Sequence, residues 1–158
     1  MPHAPRRRRE SRIATRGLTH AAVAVRDLDR TAAFYRGVVG AIEIYRGDEF
    51  VQMQTPGTWD VLVFEKKPRL AGRAGGIMHL GFRLTRRGGL TGAAAAVRRA
   101  GGTVVDTGEF VPGEPYLFAK DLDGYEIELW YEIPTPVDPA PRAGTRRPAK
   151  RKGTRPRA

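Results

Sequence analysis

Residues 18–40 read LTHAAVAVRDLDRTAAFYRGVVG. The first eight form a short apolar run of strand type. Asp27 follows as a helix N-cap. Residues 29–39 then carry Ala32, Tyr35, Val38 and Val39 at helical spacing. Gly40 sits where a helix end takes a left-handed residue. Strands are expected next over 41–46, 49–54 and 59–66, punctuated by the turn signals Gly47-Asp48 and Pro56-Gly57. The order is β-α-β-β-β.

The second half repeats it. Residues 77–84 (IMHLGFRL) read as a strand, 89–100 as an Ala-rich helix closed by Gly101-Gly102, and 103–107, 115–120 and 125–131 as strands. A further short strand near 109–112 is interrupted by Pro112. His20 and His79 hold the same place in the two first strands, 59 residues apart, and Gly40 and Gly101 close the two helices, 61 apart. A near-constant offset is the mark of a duplication. The predicted fold class is α+β, with two βαβββ modules over 17–68 and 76–133 forming one domain, 17–133.

The formal charge of +11 belongs to the ends. Residues 1–16 carry six arginines and one glutamate; residues 134–158 carry eight basic residues and one aspartate; the 117 residues between them sum to −1. Both tails are read as disordered, since they hold too little apolar surface to offset the entropy of ordering. Lys/Arg arms can contact nucleic acid non-specifically, but neither tail interleaves aromatics for base stacking, and a solvated tail is the favoured reading. The chain has no Cys, which excludes disulfides, thiolate metal sites and a Cys nucleophile. No apolar run approaches membrane-spanning length. The expectation is a soluble cytoplasmic protein with no membrane partner.

His20 and His79 sit mid-strand among apolar neighbours. Singly, each reads as an edge or core residue; their matched placement would aim both imidazoles at one cavity if the modules pair. The last strand, YEIELW, places Glu126, Glu128 and Trp130 on one face, with Ile127, Leu129 and Tyr131 on the other. Two imidazoles and one carboxylate from that face would leave coordination positions open, which favours Fe(II) and tolerates Mn, Co, Ni or Zn.

LTHAAVAVRDLDRTAAFYRGVVG, IMHLGFRL and the closing FAKDLDGYEIELWY resemble the modules of the vicinal oxygen chelate superfamily: glyoxalase I, fosfomycin resistance proteins, extradiol dioxygenases, methylmalonyl-CoA epimerase and bleomycin resistance proteins. Leu122 replaces the proline usual in the closing signature. The resemblance covers about residues 17–133. It implies two modules curled into a cup around a divalent metal, with His20, His79 and Glu128 as ligands, a small-molecule substrate bound through neighbouring oxygens, and a homodimer. His20 could join His79 and Glu128 within one chain or across two.

The resemblance also separates the reactions. Glyoxalase I and the epimerase add a fourth ligand at the place of Val63, which cannot ligate; Glu65, two residues on, is the candidate catalytic base, with a solvated strand end as its plainer reading. Dioxygenases resembling this chain use a further His, for which residues 17–133 hold no third histidine, and a Tyr where this chain has Phe118; Tyr116 is the candidate substitute. The expected lining is Tyr45, Phe50, Gln52, Trp59, Tyr116, Phe118 and Trp130, with Arg83 and Lys120 as anion contacts, although basic residues in strands are usually solvated. The leading expectation is a ring-cleaving or related dioxygenase. A glyoxalase- or epimerase-type lyase or isomerase, and a metal-free ligand-binding protein like the bleomycin resistance proteins, are the alternatives.

Overall fold

A computed structural model describes residues 18–136 and Asp138; the readings of residues 1–16 and of the remaining tail lie outside the described residues. Strand β1 (His20–Val25) leads into helix α1 (Leu28–Val39), then β2 (Ile42–Arg46), β3 (Phe50–Gln54) and β4 (Val61–Lys66). The second half runs β5 (Leu80–Arg83), a 3-10 turn over Arg87–Leu90, α2 (Ala93–Arg99), β6 (Thr103–Glu109), β7 (Pro115–Lys120) and β8 (Glu126–Trp130). The strands build two four-stranded sheets, ordered β1-β4-β3-β2 and β5-β8-β7-β6. In each sheet the first strand runs parallel to the last, and the remaining pairs are antiparallel. Both halves are therefore βαβββ modules.

Local chemistry sets the boundaries. The Asp27 side chain accepts the Arg30 N–H at 2.9 Å, and Gly40 ends α1 at φ 71°. The second helix is shorter than its Ala-rich sequence suggests, because Gly92 takes φ 84° immediately before it. Strand β5 begins at Leu80 rather than at residue 77, so His79 lies just ahead of the first laddered pair. No separate strand forms over 109–112. Strand β6 runs on to Glu109, and Phe110 N–H donates to the Glu114 carbonyl at 3.1 Å as the chain turns into β7.

Period-two alternation gives each sheet one buried face. Val51, Met53, Leu62 and Phe64 of the first sheet, and Leu117, Ala119, Ile127 and Leu129 of the second, are all buried. They share one core with Phe34 and Tyr35 of α1 and Val97 of α2. The Tyr35 ring lies 4.7 Å from Phe64 and 6.2 Å from Phe82, bridging the modules.

The turn between β7 and β8 ties the modules together. Asp121 Oδ1 accepts the N–H groups of Asp123, Gly124 and Tyr125 at 2.9–3.0 Å, and its Oδ2 accepts the Tyr35 hydroxyl at 3.0 Å. Asp123 binds the Arg26 guanidinium at 2.6 Å and the Arg26 N–H at 3.2 Å, while the Tyr125 hydroxyl donates to the Ala24 carbonyl at 2.9 Å. Burial raises the pKa of both Asp121 and Tyr35. Four donors converge on one buried carboxylate, and losing it strands all four. Replacing Asp121 by Ala should cost about 3 kcal/mol in urea unfolding, against about 1 kcal/mol for Tyr35→Phe, which removes a single bond.

Candidate metal centre on the second sheet

Register places the chemistry-bearing side chains in rows, because paired residues share a face. On β5 and β8, Gly81 pairs with Glu128 and Arg83 with Trp130; across β7, Glu128 opposes Phe118 and Trp130 opposes Tyr116. On β6, Asp106 opposes Phe118 and Gly108 opposes Tyr116. Ile127 and Leu129 point the other way, into the core. The open face of this sheet therefore reads Gly81, Glu128, Phe118, Asp106 in one row and Arg83, Trp130, Tyr116, Gly108 in the next.

His79 joins this face from the end of the loop before β5. Its Nε2 lies 3.1 Å from Glu128 Oε2, and its ring lies 5.3 Å from Phe118 at a steep angle. Glu128 is only 7% exposed, and desolvation raises its pKa despite the opposing pull of His79. A methyl at Gly81 would stand 3.5 Å from both Glu128 Oε2 and Trp130 Nε1. A longer side chain would fill the space in front of the carboxylate. The donor set, an imidazole nitrogen and a carboxylate oxygen, suits a divalent first-row metal.

His20 is not in this group. It is exposed at the start of β1, opposite Val61. Among the described residues no group of three or more His, Asp or Glu is placed to hold an ion. The duplication shows what the first sheet offers instead. Two residues past His79, Gly81 faces Glu128; two residues past His20, Ala22 faces Val63. Valine thus stands at the first-module counterpart of Glu128. Glu65 lies one pair further along, opposite Ala24 and Phe50, and forms an ion pair with Lys67.

The expected lining divides between the sheets. Tyr45, Phe50 and Gln52 sit on the first sheet, where Tyr45 and Phe50 stack at 5.5 Å and Tyr45 opposes Gln52. Trp59 lies in the β3–β4 turn, 56% exposed. Tyr116, Phe118 and Trp130 belong to the face that carries His79 and Glu128. Lys120 is exposed opposite Glu126.

Two residues beside the site were not singled out by sequence. Phe110 stacks on Tyr116 at 4.4 Å, and Asp106 accepts the Tyr116 hydroxyl at 3.0 Å, which raises the tyrosine's pKa. Gly108 makes room for that ring, since a Cβ there would fall 2.7 Å from the hydroxyl. The interruption at Pro112 marked a break in the strand, but not which β6 side chain would meet Tyr116.

The family model for the glyoxalase/bleomycin resistance protein/dioxygenase superfamily matches residues 17–129. The chain belongs to this superfamily. Its members include the resembling families named above and usually use a divalent metal. Solved structures agree on the fold. The fosfomycin resistance protein FosX from Listeria monocytogenes is 21% identical, with 76% of this chain and 96% of that one covered at a TM-score of 0.63. A glyoxylase/bleomycin resistance protein/dioxygenase domain from Frankia sp. EAN1pec is 24% identical, covering 76% and 100%, at 0.62. Lactoylglutathione lyase from Agrobacterium tumefaciens is 18% identical, covering 74% and 94%, at 0.58. No curated protein matches this chain at a significant level. None of its described helices is long and apolar enough to cross a membrane.

The chain leaving β8 folds back over the same face. Asp138 accepts from Arg83 through both oxygens and from the N–H and hydroxyl of Thr135. Arg83, with help from Thr135, holds the Asp138 carboxyl at about 2. A depressed carboxyl stabilises the docked segment above its free pKa of ~3.9 and loses that contribution as pH falls towards 2. The NMR resonances of Asp138 and Thr135 should therefore keep their docked shifts at pH 4 and move towards free values only as pH approaches about 2.

Proposed function

We propose that this protein is a divalent-metal-dependent enzyme acting on a small molecule with two neighbouring oxygens, and that its reaction is ring-cleaving or related oxygenation of an aromatic diol. The observation that carries this reading is the His79–Glu128 pair, 3.1 Å apart, beside Phe118 and Trp130. A desolvated carboxylate next to an imidazole gains most from a cation bound between them. Fe(II) fits this donor set best, with Mn, Co, Ni or Zn as substitutes.

The third donor in this reading is His20 of a second copy. His20 is equivalent to His79 by the repeat, exposed at the start of an edge strand, and outside the pair in its own chain. A homodimer with two shared centres is thus part of the proposal. A bound ion would supply Lewis acidity and a template for the two substrate oxygens.

The chain's own residues would do the rest. Phe118 and Trp130 flank the carboxylate and exclude water from that wall. Tyr116 keeps its proton, because Asp106 accepts it and raises the tyrosine's pKa, so it is a fixed, uncharged part of the wall rather than a base. A glyoxalase- or epimerase-like proton transfer is supported less well, since Val63 occupies the counterpart of Glu128 and Glu65 is paired with Lys67. A metal-free binding role leaves the buried Glu128 without a purpose.

Metal analysis of tag-free protein should find stoichiometric divalent ion, and His20→Ala and His79→Ala should each abolish loading. Refolding the two variants together should restore about a quarter of wild-type loading, because about half the dimers are mixed and each mixed dimer keeps one intact centre. Full loading of His20→Ala alone would overturn the shared centre. Oxygen uptake with catechols should depend on the metal; turnover of a thiohemiacetal without air would favour proton-transfer chemistry instead.

A further inference from the structure

We infer that Arg83 is the anion-recognising residue of the same site, and that the substrate carries a carboxylate, or an anion of similar shape, for which Asp138 stands in when no substrate is bound. The inference rests on the reading of His79 and Glu128 as the metal-binding pair, because that pair locates the substrate's oxygens.

Placement comes first. Arg83 follows Gly81 by two residues on β5, so both side-chain positions lie on the open face, and Arg83 pairs with Trp130 as Gly81 pairs with Glu128. Two strand residues span roughly 7 Å. The guanidinium carbon lies 5.8 Å from the Trp130 ring centroid, and Trp130 Nε1 shares the space in front of Gly81 with Glu128 Oε2. Arg83, Trp130 and Glu128 are therefore continuous along one face.

Occupancy comes second. Arg83 Nη1 and Nη2 donate to Asp138 Oδ1 and Oδ2, both at 2.9 Å. Two parallel bonds are how a guanidinium selects a carboxylate over a point charge. Glu132 also lies 3.3 Å from Nη1, and the carbonyls of Glu132 and Ile133 accept from Nη2 at 3.2 and 3.5 Å. These three contacts belong to the chain immediately after β8. Asp138 lies further on, in no strand or helix, and its other bonds go to Thr135 three residues away. An incoming carboxylate would displace Asp138 alone, and the exchange would leave the local charge unchanged.

Arg83 and Trp130 form the row next to Gly81 and Glu128, so the anionic group would lie along the same face as the oxygen pair. A benzene ring carrying a carboxylate opposite two adjacent hydroxyls has that outline. Lys120, the other basic candidate, faces Glu126 and has no comparable cradle.

The test titrates benzoate into metal-free, full-length protein and reads the Trp130 indole N–H resonance, assigned against Trp59→Phe. Wild type should bind weakly and saturably. Freed of this competitor, Arg83 in Asp138→Asn should bind benzoate at least about tenfold more tightly. Arg83→Gln should abolish the response, and Arg83→Lys should weaken it. Benzoate binding that is no tighter in Asp138→Asn, or unchanged in Arg83→Gln, overturns the inference. With metal loaded, 3,4-dihydroxybenzoate should bind more tightly than both benzoate and catechol. Arg83-dependent benzoate binding in a protein that takes up no metal would sink the metal reading and leave the anion subsite standing.

Discussion

One buried carboxylate organises this molecule. Asp121 gathers three backbone N–H groups of its own turn and the hydroxyl of Tyr35, a helix residue from the other module. Burying a charge is costly unless it is fully hydrogen-bonded, and here each oxygen has partners. The carboxylate shapes the turn that delivers β8 and docks that turn on α1. Arg26–Asp123 and Tyr125–Ala24 lie on either side and repeat the link. The family's closing signature is thus an inter-module clasp as much as the lead-in to β8.

That clasp decides what each sheet can face. The helix-side surfaces of both sheets share one core through Tyr35, Phe34 and Val97. The other surfaces are left open, one carrying Tyr45, Phe50 and Gln52, the second carrying His79, Glu128 and Trp130. The duplicated modules have also diverged at one matching position: Val63 in one, Glu128 in the other. On the proposed reading, the first module keeps only its imidazole and lends it to a second copy, while the second module keeps imidazole, carboxylate and the aromatic surround.

Alternation made much of this readable in advance. The 59-residue spacing of the histidines marked the duplication, and the pattern Glu126-Ile127-Glu128-Leu129-Trp130 separated the core face from the open face. The same counting put Val63 at the counterpart of Glu128. Counting fails where a ladder slips. The β6–β7 register shifts between Val104 and Asp106, and such an irregularity changes which side chains meet. The Tyr116–Asp106 bond was hidden for that reason. The second helix was misjudged because Ala content says nothing of the left-handed Gly92 in front of it. Arg83 and Asp138 meet across 55 residues, a separation at which no local pattern operates.

The sequence by itself determined the repeated βαβββ order, the matched placement of the two histidines, and the face of β8 on which Glu128 lies. Those follow from short-range rules: strand alternation, caps and turn residues act within a few positions. Only the tertiary structure decided that His79 meets Glu128 while His20 stays apart, that the Asp121 turn binds the modules through their helices, and that Arg83 already grips a carboxylate beside the pair. Each of these joins groups distant along the chain, and their meeting depends on how whole sheets pack rather than on any residue's neighbours in sequence.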